Sequence, residues 1–83
     1  MRRAAVSVAS NIAEGAARRT DKDFIHFLHI ALGSASELDT QLEIASRIGF
    51  LDQKQTEQTQ NNIGEISRMI YGLIRSVEQK HHG

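Results

Sequence analysis

The sequence predicts an all-α chain, and three observations carry that reading. There is no proline, with only one tyrosine and three phenylalanines, whereas β architectures recur on turn signals and aromatic strands. The chain is instead supplied with Ala, Leu, Ile, Glu, Gln and Arg, which favour helix. Its apolar residues recur at spacings of three and four, the period of a helix face. At 83 residues it makes one domain, residues 1–83, near the lower size limit for a self-sufficient core.

Helix one is predicted over residues 1–17. Met1, Ala5, Val8, Ile12 and Ala16 share one face, mostly alanine, so a neighbouring helix can approach closely. Ser7, Asn11, Glu14 and Arg18 form a polar stripe on another side. Helix two is predicted over 21–48 and spans about 40 Å at 1.5 Å per residue. Thr20 can accept from the Asp23 backbone N–H, and Asp21 and Asp23 suit the positive helix end. Gly49 supplies a left-handed stop.

Helix two has apolar residues on two sides. Phe24, Phe27, Leu28, Ala31, Ala35, Leu38, Leu42 and Ala45 cluster in one broad stripe. Ile30, Ile44 and Ile48 lie more than a quarter-turn away, among His26, Gly33, Glu37 and Gln41. An outer helix of a monomeric bundle needs only one stripe. Two stripes predict burial against a second neighbour, within the chain or in another subunit.

Helix three is predicted over 53–79, with Asp52 as N-cap, Gln55 at the capping-box position and Leu51 packing back over the first turn. Ile63, Ile66, Ile70, Leu73 and Val77 make its core stripe, flanked by Met69 and Ile74. Upstream that stripe continues only as Thr56 and Thr59, which predicts weak packing there. The glutamine-rich stretch 53–60 reads as exposed surface and residues 80–83 as a frayed tail. Two helices of about 40 Å beside one of about 25 Å do not close a bundle, so apolar surface should stay open.

Composition narrows the function classes. Without cysteine the chain has neither disulfides nor thiolate metal sites, and a cytoplasmic setting is expected. Arg2 and Arg3 precede a mildly apolar run, but Ser7, Ser10, Asn11 and Glu14 interrupt it before a signal peptide could form. No stretch approaches the roughly 20 apolar residues of a membrane span. Ten basic and ten acidic side chains cancel, so no strong overall field favours nucleic acid or an anionic surface.

The run Arg2-Arg3-Ala4-Ala5-Val6-Ser7-Val8-Ala9-Ser10-Asn11-Ile12-Ala13-Glu14-Gly15 resembles the signature of the four-helix bundle family encoded in intervening sequences of 23S rRNA genes. A second block follows in order: Phe24, Phe27-Leu28, Ile30-Ala31, Gly33-Ser34, Glu37-Leu38, Thr40-Gln41-Leu42, Ile44-Ala45 and Gly49-Phe50-Leu51. The resemblance is specific over about residues 2–51 and extends to helix three by pattern alone. It implies an up-down four-helix bundle that assembles as a pentameric ring, here an antiparallel bundle of three helices. A related branch serves reverse transcriptases of diversity-generating retroelements, its basic ring engaging the transcriptase and its RNA.

Two departures stand out. Ala9 occupies a position where the family usually has proline, so helix one should be straighter. Family members also begin with a further helix, followed by the first part of the helix that carries the arginine pair. Met1 resembles an internal methionine before that pair, which predicts a truncated chain or a start codon assigned within the reading frame.

Each candidate site has a plain structural alternative. His26 and His29 lie one turn apart, and His26 shares a face with Glu37 across Gly33, but no glutamate sits three residues before either histidine as di-iron bundles require. These are expected to be surface or interface histidines, and His81 and His82 to carry no function. No metal or other cofactor is expected. Asn11, Glu14, Ser34, Glu37 and Gln41, with Ser7, are read as a polar network that fixes helix register. No base lies beside Ser10 or Ser34, so no catalytic residue and no small-molecule substrate is assigned. Gly15 and Gly33 lack the pattern of a phosphate loop, and Gly33 is expected to permit close helix approach.

Arg2, Arg3, Arg18 and Arg19 are the basic clusters. They are the residues that could contact RNA if a ring repeated them, although no aromatic residues interleave to stack on bases. The reading is therefore a non-enzymatic scaffold that associates with itself through helices one and two. The alternative is an accessory module for RNA or a reverse transcriptase.

Overall fold

A computed structural model describes residues 1–82, with the backbone alone for His81 and His82. It contains α1 (Arg2–Ala16), α2 (Asp21–Arg47) and α3 (Gln53–His82). Among the described residues there is no strand. The predicted boundaries of α1 and α2 hold to within one residue, while α3 runs on through Lys80, which the sequence reading placed in a frayed tail. The remainder of that tail, the side chains of His81 and His82 and all of Gly83, lies outside the described residues.

The helix ends follow from local chemistry. Thr20 has extended backbone, and its hydroxyl accepts from the Asp23 N–H at 3.1 Å, leaving one fewer unpaired donor at the start of α2. At the other end Gly49 has φ 87°. Its N–H donates to the Ser46 carbonyl at 3.1 Å, and the Phe50 N–H donates to Ala45 at 2.9 Å. These are the two bonds that close a helix through a left-handed residue. Asp52 then starts α3 by accepting from the Gln55 N–H at 3.3 Å.

Among the described residues α1 and α3 each lie along α2, and their backbones do not come together. The long helices run side by side, giving an elongated, thin molecule of 48 × 21 × 13 Å. The arrangement occupies three corners of a four-helix square, with α2 at the corner between its neighbours. One buried cluster joins Leu28 and Ala31 to Ile70 and Ile74, with Ile12 and Phe24 packed against it. The other joins Ala35 and Leu42 to Ile63, with Val8, Leu38 and Leu51 alongside.

Two predicted core faces are turned from where the periodicity put them. On α1 the residues buried against α2 are Ala4 and Gly15, and Ser7 and Asn11 fall on that same side. The expected face of Met1, Ala5, Val8, Ile12 and Ala16 is therefore only half covered: Val8 and Ile12 are half-buried, and Met1, Ala5 and Ala16 are exposed. On α3 the buried line is Thr56, Ile63, Ile70 and Val77, with Ile74, whereas Ile66 and Leu73 are exposed. The physical reason is shared. Periodicity finds every side of a helix that can be buried, and in this chain only α2 is present to bury one of them.

Gly15 sets the closeness of α1 to α2. A Cβ there would stand 2.9 Å from Phe27 Cβ and 3.0 Å from Phe24 Cδ1, distances that real side chains do not tolerate. Gly33, expected to serve close approach, has no atom within 4 Å of its would-be Cβ and is exposed. That expectation is corrected: the close contact belongs to Gly15. Gly15→Ala should destabilise the chain by about 1–3 kcal/mol, the overpacking range, while Gly33→Ala should be neutral or stabilising by up to about 1 kcal/mol through helix propensity. Urea unfolding followed by circular dichroism measures both.

Candidate functional site

The polar residues of α1 and α2 separate into sets. Ser7 Oγ lies 2.8 Å from Ser34 Oγ, and either hydroxyl can donate. Asn11 Nδ2 donates to the Ser7 carbonyl at 2.8 Å and to Ser7 Oγ at 3.0 Å. Ser7, Asn11 and Ser34 thus form a part-buried tie between α1 and α2. Glu14 lies elsewhere, accepting from Arg18 on the exposed side of α1. Glu37 pairs with Gln41 within α2, Gln41 Nε2 donating to Glu37 Oε1 at 3.2 Å. Gln41 Oε1 is buried with no hydrogen-bond partner.

The arginine clusters are not adjacent within one chain. Arg2 opens α1 and Arg18 lies just past its other end at Ala16, about 21 Å from Arg2 along the axis at 1.5 Å per residue. The Arg18 guanidinium lies 4.8 Å from the Phe27 ring centroid as well as pairing with Glu14, a cation–π placement. Arg2, Arg3 and Arg19 are exposed. His26 meets the edge of Phe27, ring centroids 5.5 Å apart, and His29 is exposed. Among the described residues no group of three potential metal ligands comes together.

One tie between α2 and α3 was not anticipated. Gln60 Nε2 donates to Glu43 Oε2 at 3.1 Å and reaches the Asp39 carbonyl at 3.5 Å. Gln60 was read as part of an exposed glutamine run, yet it falls one turn from both Thr56 and Ile63, on the seam that faces α2. That spacing was the available signal. The Gln60 bond, followed by the bond from Arg47, holds the Glu43 carboxyl below its ordinary range.

The apolar surface expected to stay open includes a groove between α1 and α3, floored by α2. Ala5, Val8, Ala9 and Ile12 form one wall, Ile66 part of the other, and Leu38 part of the floor. No charged side chain lines it. A second hollow, near the α2–α3 turn, is polar and holds Glu43, Arg47, Glu57 and Gln60 without a histidine. Ser46 and Thr56 also line the second hollow, and the Thr56 hydroxyl donates to the Asp52 carbonyl at 2.8 Å. Among the described residues no helix is long and apolar enough to cross a membrane.

With three helices in this order, a groove at the fourth corner and the arginine pair opening α1, the comparison with known families is decisive. The model for the 23S rRNA-intervening sequence protein matches residues 1–72. The chain belongs to the 23S rRNA-intervening sequence protein family. It is also similar to a solved structure from Bacteroides thetaiotaomicron VPI-5482, a protein with unknown function from the S23 ribosomal protein family. The two share 32% identity and a TM-score of 0.84 over 87% of this chain and 67% of that one. No curated protein matches the chain.

The matched span takes in α1, α2 and α3 as far as Gly72. It therefore contains the serine–asparagine tie, both arginine clusters and the groove. Two outcomes follow from the polar contacts. A carboxylate whose pKa falls on folding stabilises the fold above its unfolded pKa, and that contribution disappears as pH drops through the lower folded value. Glu43→Gln should therefore flatten the loss of stability below about pH 4.5, the ordinary glutamate midpoint, in urea titrations run from pH 7 to pH 3. Gln41→Leu removes a buried unpaired acceptor and should leave the melting temperature unchanged or raised.

Proposed function

We propose that this protein is a non-enzymatic scaffold that works by associating with copies of itself through α1 and α2. The observation that carries this reading is surface area. The chain exposes 6103 Å², against ~4,900 Å² for a compact monomer of its mass. The difference, about 1,200 Å², exceeds the ~800 Å² that each partner gives to a standard interface. Much of what is exposed is apolar, including Ile30, Ile44 and Ile48 on the outer side of α2 and Val6 on α1. A small chain whose core holds ten buried hydrophobics among the described residues, four of them alanine, gains substantially from covering more.

The family resemblance adds a form for the assembly, a ring of five with the outer isoleucines of α2 at the contact between neighbours. Association should be read by native mass from light scattering, starting from 9.2 kDa for one chain. A mass of five chains supports the ring. Replacing both Ile44 and Ile48 by lysine should then reduce that mass while leaving the helical spectrum intact. A single-chain mass up to about 1 mM overturns self-association.

A second reading makes the protein an accessory to RNA or a reverse transcriptase, and the exposed Arg2, Arg3 and Arg19 favour it. Symmetry would repeat them on an assembly and raise the local field. Their separation along α1 and the engagement of Arg18 with Glu14 and Phe27 weigh against a continuous basic patch in one copy. A gel shift of single-stranded RNA at low salt, lost on Arg2→Ala plus Arg3→Ala, is the result this reading requires. No shift at low salt removes it.

A further inference from the structure

Resting on the self-association just proposed, we infer that the outer side of α1 and α2 in one copy packs on the outer side of α2 and α3 in the next, with Arg3 entering a cleft beside Asp39 of that neighbour. These are two different sides of the molecule, so the contact is heterologous. They adjoin at α2 and stand at roughly a right angle, so each copy is turned relative to the last and the succession of contacts closes into a ring. The groove between α1 and α3 takes no part.

Contacts within the chain set the levels of the helices. Ser7 meets Ser34, and Gly15 rests against Phe24 and Phe27, so α1 runs antiparallel to α2. Gln60 reaches Asp39 and Glu43, and Ile70 and Ile74 cluster with Leu28 and Ala31. α3 is therefore antiparallel to α2 as well, and α1 and α3 run in the same direction. At 100° per residue the side of α1 away from the groove carries Arg3, Ser7, Ser10 and Glu14. The side of α3 away from the groove carries Gly64, Arg68, Tyr71 and Arg75. The two lines share one spacing. Counting from the contacts above sets Arg3 level with Gly64, Ser7 with Arg68, Ser10 with Tyr71 and Glu14 with Arg75.

Rotation about an axis along the helices keeps every level, so these are the pairs that a ring brings together. Each is complementary. Arg3 lies over a residue with no side chain, Ser7 and Ser10 leave room for Arg68 and Tyr71, and Glu14 meets a guanidinium. Arg3, Ser10, Arg68, Tyr71 and Arg75 are exposed in the single chain. A Cβ at Gly64 would have only Arg68 Nη1 near it, at 3.5 Å. Beside Gly64 a cleft opens between α2 and α3, its lining including Leu32, Ser36, Asp39, Gln60 and Tyr71. Asp39 is half-buried, and among the described residues neither its carboxylate nor the Arg3 guanidinium has an ion pair. An arginine suits this cleft, its aliphatic stem lying on Leu32 and its guanidinium on the carboxylate. Glu14 already pairs with Arg18, so the pairing of Arg3 with Asp39 is the stronger determinant of the contact. It gives Arg3 a protein partner in place of RNA.

Charge exchange tests the contact. Arg3→Glu and Asp39→Arg should each weaken association by about tenfold or more, the scale of one charge-assisted bond lost at every contact. The two changes together should recover most of it. Dilution series read by light scattering at low salt measure this, and circular dichroism checks that each variant keeps its helices. Gly64→Leu fills an open position and removes a glycine from a helix, so it holds the fold while blocking Arg3, and it should lower the native mass even if Asp39→Arg does not fold. Single changes that weaken association without recovery in the double variant overturn this contact while self-association stands. So does a native mass that survives both Arg3→Glu and Gly64→Leu. An RNA shift lost on Arg3→Glu with the native mass unchanged overturns the contact in favour of nucleic acid. Wild-type chains that remain single overturn both the contact and self-association.

Discussion

Gly15 rests against Phe24 and Phe27, and two turns earlier Ser7 meets Ser34. Together these contacts fix how α1 is rotated about its own axis. Small and polar residues face α2, while Val8 and Ile12 sit at the edge of that contact, packed against the buried clusters and lining the empty corner. Everything else follows from that rotation. It leaves α1 and α3 apart, makes an apolar groove of the space between them, and explains why a bundle with so many helix-forming residues has so small a core.

The energetic balance points the same way. Fully burying a Leu or Ile side chain is worth about 1.5–3 kcal/mol, and Leu28 is the one large side chain wholly buried among the described residues. Ala4, Ala31, Ala35 and Ala45 fill much of the remaining interior and contribute less. Hydrogen bonds such as Ser7 to Ser34, and Gln60 to Glu43, give direction to the packing more than net stability. Covering the groove would add Val8, Ile12, Leu38 and Ile66 to the buried set. Association and folding are therefore linked in this account, since the same helices serve both.

Much of this was legible in the sequence. The class, the three helices, the Thr20 cap, the Gly49 stop and the buried stripe of α2 follow from patterns local to each segment. The outer isoleucines of α2 were also readable as a second apolar side. What periodicity could not give was the direction in which α1 and α3 turn. Met1, Ala5, Val8, Ile12 and Ala16 form the more apolar side of α1, yet α2 takes the side with Ser7 and Asn11, because Gly15 and the serine pair permit closer contact there. Likewise Ile66 and Leu73 belong to an apolar stripe, but Ile63, Ile70, Ile74 and Val77 are the ones α2 reaches. Of the polar residues, the spacing placed Ser7, Asn11 and Ser34 on facing helices, whereas the grouping of Glu14 with Arg18 and of Glu37 with Gln41 depends on side-chain reach. Gly33 was misread because a glycine's neighbours across a helix interface are invisible in one dimension.

The central claim is that the exposed apolar faces of α1 and α2 are covered by other copies, so that folding and association share free energy. The most direct measurement is the thermal midpoint as a function of chain concentration, from about 1 μM to about 1 mM. If the claim holds, the midpoint rises steadily with concentration, because an oligomer that forms only from folded chains stabilises them by mass action. A midpoint that does not move across that range would mean the single chain is the stable unit with its groove open to water, and the account would be wrong.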